Sequence, residues 1–174
     1  MPLFLKIDCH DDMLESGLIL KEVIDFCKDA KEYGVDVLNI SRGNIITAVT
    51  LYEVAPVDIK NEFNVEDGER IRKETGMFTM PCGCINTPAE KILEDDKADL
   101  IVMARAQLAD ANFCNKAKNG QVNQIRYCSN SLYDPSIKHI TCIRNPGLLE
   151  EATDSLSMTS HPKKVVIASG KEYL

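Results

Sequence analysis

Two short apolar runs, residues 35–40 and 100–103, are each entered through a small turn ending in aspartate, Gly34-Val35-Asp36 and Lys97-Ala98-Asp99. Such an entry commonly carries a chain out of a helix into a buried parallel strand, and its repetition marks a repeated βα unit. Ahead of the first turn, Leu20, Val23, Ile24, Cys27 and Ala30 recur at helical spacing, and residues 3–7 read as a strand before them. Strand, helix and strand in that order restrict the chain to an α/β architecture with a parallel sheet, either an open doubly wound sheet or a barrel.

The rest of the chain extends the pattern. Residues 41–61 are irregular, and a helix is expected over 65–75. Residues 77–80 form a weak third strand, limited by Pro81. Thr87-Pro88-Ala89-Glu90 has the form of a capping box with proline at the first helical position. Residues 100–103 are the fourth expected strand. A helix over 110–119 is expected to stop at Gly120. Residues 150–162 read as a linker, and Lys163-Lys164-Val165-Val166-Ile167 reads as a strand opening a further domain.

Composition removes several functional classes. Twenty Lys and Arg against 27 Asp and Glu give a net charge of −7 with no basic patch, which argues against nucleic acid as a partner. The apolar start is too short to span a membrane, has no basic region before it and runs into Asp8, Asp11 and Asp12, so a cytoplasmic protein without a membrane partner is expected. Seven scattered cysteines favour reduced thiols over a disulfide framework.

In both open sheets and barrels of this class, ligands sit at the C-terminal ends of the strands. Those ends carry residues 8–12, 41–46, 82–86 and 104–108. Arg105 follows the fourth strand, and Gly83 lies in the turn after the third, a pairing that suits a phosphate cradle of backbone N–H groups and a guanidinium. An arginine at a strand end also snorkels, and the sequence leaves both readings open. Asp8, His10, Asp11 and Asp12 have the donor types of a metal site but read first as a solvated helix-entry loop. Cys82 and Cys84 lack further ligands at a fixed spacing and read as structural thiols, and Cys128 with Cys142 would supply only half of an iron–sulfur ligand set. There is no Gly-x-Gly-x-x-Gly turn, and no spacing of Ser, His and Asp marks a nucleophile.

The stretch Lys97-Ala98-Asp99-Leu100-Ile101-Val102-Met103-Ala104-Arg105-Ala106-Gln107-Leu108-Ala109-Asp110 resembles the last barrel strand of the old yellow enzyme/2,4-dienoyl-CoA reductase group of NAD(P)H:flavin oxidoreductases. Asn115-Lys116-Ala117 with Gly120, Ile125-Arg126-Tyr127-Cys128, and Thr141-Cys142-Ile143-Arg144-Asn145-Pro146 follow in that family's order. The resemblance implies a partial TIM (β/α)8 barrel: strands five to eight with their helices over residues 1–127, a degenerate iron–sulfur segment over 128–149, and a linker with the first strand of an FAD/NAD(P)-binding domain over 150–174. It places FMN contacts at Lys6, Gly83, Cys84, Ala104 and Arg105, and remnants of a 4Fe-4S site at Cys128 and Cys142, where Ser131 stands near a cysteine position. It implies NAD(P)H as electron donor, an enoyl-type substrate and hydride transfer to an activated C=C bond. Lys6 replaces a family arginine, and residues 44–47, where the family carries a substrate-side histidine, contain none. A half barrel exposes strand edges, so a homodimer or a complementing barrel half is expected, and inactivity when alone. The alternative is a non-catalytic half-barrel scaffold or interaction subunit with vestigial phosphate binding.

Overall fold

A computed structural model describes residues 1–13, 16–44, 55, 59–86, 89–130, 142–145 and 147–148. The expected linker and terminal strand, the capping residues Thr87 and Pro88, and most of 45–58 lie outside the described residues.

Strands β1 (Phe4–Asp8), β2 (Val37–Ser41) and β3 (Phe78–Pro81) form one parallel sheet in the order β1-β2-β3. Helix α1 (Leu20–Glu32) connects the first pair and α2 (Val65–Thr75) precedes the third strand. The five residues that define the helical period of α1, Leu20, Val23, Ile24, Cys27 and Ala30, are the five it buries. Gly34, at φ +92°, ends the helix where a side chain would be strained. The next strand begins two residues later than its apolar pattern suggests. Asp36 and Val37 spend their N–H groups on the Leu3 carbonyl, while the Asp36 carboxylate accepts the Leu3 N–H at 2.7 Å.

Side chains alternate across a strand, and the register aligns Leu5, Leu38 and Thr79, then Ile7, Ile40 and Pro81, on one face. That face is covered by α1 and α2. Leu38 and Ile40 are fully buried in a cluster with Val23, Ile24, Cys27 and Ile71, and each such side chain contributes roughly 1.5–3 kcal/mol by leaving water. The opposite face presents Lys6, Asn39 and Met80 in one row and Phe4, Val37 and Phe78 in another. There Phe4 is 50% and Phe78 61% exposed.

Residues 100–103 do not complete a regular fourth strand. They run beside β3, with the N–H groups of Leu100 and Val102 donating to the carbonyls of Thr79 and Pro81 at 3.2 Å. The return bonds are missing for two reasons. The Thr79 N–H donates to the Asp99 carboxylate at 2.9 Å, and Pro81 has no N–H. Asp99 also accepts from Arg72 Nε at 2.9 Å, which ties the entry turn to α2.

Three short helices follow: α3 (Ala89–Glu94), α4 (Arg105–Ala109) and α5 (Phe113–Lys118), the last ending before Gly120 as the sequence predicts. The helix expected over 110–119 starts late because Asp110 serves as its anchor. Its buried carboxylate accepts from Lys116 Nζ at 2.6 Å and from the N–H groups of Asn112 and Arg126 at 3.0 and 2.9 Å. Burial alone would raise the Asp110 pKa, but these donors outweigh it and hold the group below the ordinary carboxylate value. Phe113 meets Tyr127 edge-on with ring centroids 6.0 Å apart, closing a small core with Ala106 and Ile125. Among the described residues, no helix is long and apolar enough to cross a membrane.

Candidate functional site

A cavity of about 240 Å³ opens at the C-terminal ends of the strands. Lys6 reaches it from β1, Asn39 and Ser41 from β2, Cys82 to Asn86 from the turn after β3, and Val102 to Ala106 from the segment entering α4. Lys6, Gly83, Cys84, Ala104 and Arg105 therefore all line one cavity, and Cys128 joins them from the far side.

The turn after β3 has a strained shape that sequence and packing enforce. Gly83 has φ +124°, and an added Cβ would stand 2.9 Å from Phe63 Cζ and 3.1 Å from Asn64 Nδ2. Only glycine fits there. Cys84 also holds a positive φ of 49°. The turn is fastened to the segment before α2: the Glu62 N–H donates to the Gly83 carbonyl at 3.0 Å, and buried Asn64 donates to the Cys82 carbonyl at 2.8 Å.

Arg105 points into this turn. Its Nη2 donates to Cys84 Sγ at 2.9 Å and its Nη1 to the Ala55 carbonyl at 3.0 Å. Burial raises the Cys84 thiol above its ordinary pKa and the Arg105 guanidinium offsets only part of that, so the sulfur stays protonated near neutral pH. A thiol is a weak acceptor. Among the described residues Arg105 has no carboxylate partner, whereas Arg42 pairs with Asp12 and Arg72 with Asp96 and Asp99. Among the described residues the half-buried guanidinium is held by a thiol and a carbonyl, partners that leave its charge unneutralised.

The acidic loop after β1 is organised by arginine. Arg42 donates to Asp12 at 2.7 to 3.0 Å and stands 3.6 Å from Asp67, His10 lies 3.9 Å from Asp67, and Asp11 accepts the Leu18 N–H at 2.8 Å. Among the described residues, no three His, Cys, Asp or Glu side chains converge as metal ligands. Cys142 is not in the cavity wall; its carbonyl closes a turn by accepting the Asn145 N–H at 3.0 Å.

Ser41 and Asn86 fall in the strand-end segments expected to carry ligands, whereas Phe63, Asn64, Asn130 and Asn39 line the wall without having been singled out from sequence. The one signal that could have found Asn39 is a polar side chain flanked by Leu38 and Ile40 in the interior of strand Val37–Ser41. The side-chain oxygens of Asn39 and Asn86 are buried without a hydrogen-bond partner. A buried acceptor left unmatched costs about 1–3 kcal/mol, so such atoms at a cavity wall point to a donor that arrives with a ligand or water.

A parallel α/β sheet with a cavity at the C-terminal ends of its strands is the arrangement of the barrel and doubly wound class. The chain matches the NADH:flavin oxidoreductase / NADH oxidase family over residues 7–124, and it belongs to that family. It is 34% identical over 120 residues to an NADH oxidase of Thermoanaerobacter brockii, covering 68% of this chain and 18% of the relative. It is 32% identical to a metal reductase of Desulforamulus reducens, covering 99% of this chain and 27% of that protein. An NADPH dehydrogenase of Bacillus subtilis is 32% identical over 118 residues, 67% of this chain and 32% of the relative. The chain thus spans less than a third of the length of these relatives. Among solved structures, histamine dehydrogenase from Rhizobium sp. 4-9 superposes with a TM-score of 0.67 at 19% identity, over 86% of this chain and 22% of that one. A 2-naphthoyl-CoA reductase complex gives 0.65 at 17% identity, over 87% and 24%. At these identities the likeness speaks to the fold.

Proposed function

We propose that this chain supplies the phosphate-binding end of an FMN site in a half barrel equivalent to strands five to eight. The observation that carries the reading is Arg105 Nη2 lying 2.9 Å from Cys84 Sγ, in the same cavity as Lys6 and the Gly83 turn. Arg105 would clasp the phosphate, the Gly83–Cys84 turn would let backbone approach it closely, and Lys6 would place positive charge beside the ring. The donor set fits the group. The cavity is smaller than the roughly 300 Å³ at which ligand sites begin, so it suits the phosphate end, with the ring lying over the sheet face that helices leave open.

When bound, FMN supplies hydride relay from NAD(P)H to an activated C=C bond. Lys6, Gly83, Cys84, Ala104 and Arg105 hold the cofactor in this reading, and proton donation is assigned to no residue. In this reading residues 1–127 are the barrel half, 128–149 a degenerate cluster segment, and 150–174 a linker into a nucleotide-binding unit. The half barrel acts with a second copy or a complementing half. The exposed Phe4 and Phe78 favour that, and they equally suit a second reading in which the chain is a scaffold whose open face is covered by a partner without catalysis.

Uptake of FMN decides between them. The purified chain is expected to take up added FMN, visible as a shifted flavin absorbance, and to elute from gel filtration larger than a monomer. A compact monomer that leaves FMN unbound refutes the oxidoreductase reading.

A further inference from the structure

Of the seven free cysteines, Cys82, Cys84 and Cys128 line the cavity beside Arg105, whereas Cys9 and Cys27 are buried in the core and Cys114 is exposed elsewhere. The three cavity thiols are not equivalent. Cys82 Sγ is spent on the Ile40 carbonyl at 3.3 Å. Cys84 Sγ lies 2.9 Å from Arg105 Nη2. Burial keeps the Cys84 thiol protonated near neutral pH, and the reactive thiolate is the fraction that the guanidinium stabilises. Cys128 is tied to the same turn, because its carbonyl accepts from Asn86 Nδ2 at 3.3 Å and Asn86 stands two residues after Cys84. The tie draws the Cys128 segment up to the turn, close enough that charge on Cys128 acts on Cys84. A second observation marks the same spot. Asn86 is 7% exposed, and its side-chain oxygen at the cavity wall has no donor among the described residues. A buried acceptor of this kind is completed by a hydroxyl or an N–H.

We propose that Cys84 is an oxidation site with Cys128 as its resolving thiol, and that the disulfide they form closes the anion end of the cavity. The oxidant is hydrogen peroxide, small enough to enter a space of about 240 Å³. The Cys84 sulfur takes one peroxide oxygen: the S–O bond forms, the O–O bond breaks, and the other oxygen leaves as water with the thiol proton. Sulfur is oxidised by two electrons and the peroxide is reduced. The sulfenic hydroxyl is the kind of donor that Asn86 lacks. The Cys128 thiol then attacks the oxidised sulfur. The S–S bond forms, the S–O bond breaks, and the oxygen leaves as water with the Cys128 proton. The bridge runs from the Gly83–Cys84 turn to the Cys128 segment beside Arg105, across the space an anion needs. The oxidation stands without a cofactor, while its effect on ligand uptake rests on the FMN reading.

The test treats the reduced full chain with hydrogen peroxide and maps its peptides without reduction. A linked Cys84–Cys128 peptide is expected. Quenching of FMN fluorescence by the reduced chain should be lost as the bridge forms and should return with dithiothreitol. Cys128→Ser should stop at the sulfenic acid, trapped on Cys84 by dimedone, and Cys82→Ser should leave the bridge in place. Arg105→Gln should slow bridge formation, because the cation no longer favours the thiolate. A map in which peroxide links other cysteines or leaves Cys84 unmodified overturns the proposal, as does a bridged chain that takes up FMN as well as the reduced one. A reduced chain that takes up no FMN defeats the FMN reading instead, and the peptide map then decides the oxidation site by itself.

Discussion

The two faces of the β1–β2–β3 sheet differ sharply in how complete they are. On the helix face Leu38, Ile40, Ile24 and Ile71 are at most 1% exposed and form one closed cluster. On the other, Phe4 and Phe78 are 50% and 61% exposed, and the same face carries Lys6, which pairs with none of the described residues, and Asn39 with an unmatched oxygen. The first face is finished by this chain's own helices. The second has the residue types of an interior without a cover, apolar at the N-terminal end of the strands and polar at the ligand end. A sheet built this way stores its stability on one side and its chemistry on the other.

That contrast can be broken by substitution. Ile40→Ala on the closed face should cost about 2–5 kcal/mol of unfolding free energy in a urea titration. Phe78→Ala, a larger truncation but on the open face, should cost well under 1 kcal/mol and lower the apparent mass on gel filtration. Comparable losses at both positions would mean that the open face is covered within the chain.

The next largest effect concerns the anchor of α5. Asp110→Ala removes the acceptor of three donors and should destabilise by about 2 kcal/mol. The pH dependence has a definite sign. Because the folded-state pKa is held below the unfolded value, Asp110 contributes fully above about pH 4, and that contribution is lost as pH falls through the lowered folded value. The wild-type stability curve should therefore drop below pH 4 more steeply than that of Asp110→Asn, measured by chemical unfolding across the acid range.

The smallest effect sharpens the same inside-versus-outside distinction through the thiols. Burial pushes Cys27 up to about 11, and burial followed by the nearby Asp67 carboxylate pushes Cys9 higher still, whereas Cys114 is exposed. Iodoacetamide at pH 8 should label Cys114 well before Cys9 or Cys27, read by peptide mass spectrometry. Early modification of Cys27 would show that α1 opens readily from the sheet.

How far the sequence alone carries depends on which physical signal is involved. The five-residue apolar period of α1 maps without error onto the buried side, because burial against a sheet is what a helical period encodes. The fourth strand fails for a reason of hydrogen bonding rather than hydrophobicity. Its residues are apolar enough, but capture of the Thr79 N–H by Asp99 depends on where the chain folds back, and the missing N–H of Pro81 removes the other bond. At the site, Arg105, Gly83, Cys84, Ala104 and Lys6, named through the family pattern, all line one cavity. Asn39 was not named, because a single polar residue in an apolar strand gains meaning only when its face and its unmatched oxygen are known.

Whether the Arg105 guanidinium and the Gly83 turn recognise a phosphate is measured most directly by comparing FMN with riboflavin, which differ in that group alone. Wild type should bind FMN at least about tenfold more tightly, given that a charge-assisted arginine pair is worth more than a neutral hydrogen bond, and Arg105→Ala should bring the two affinities together. Equal binding of FMN and riboflavin by the wild type would contradict the account.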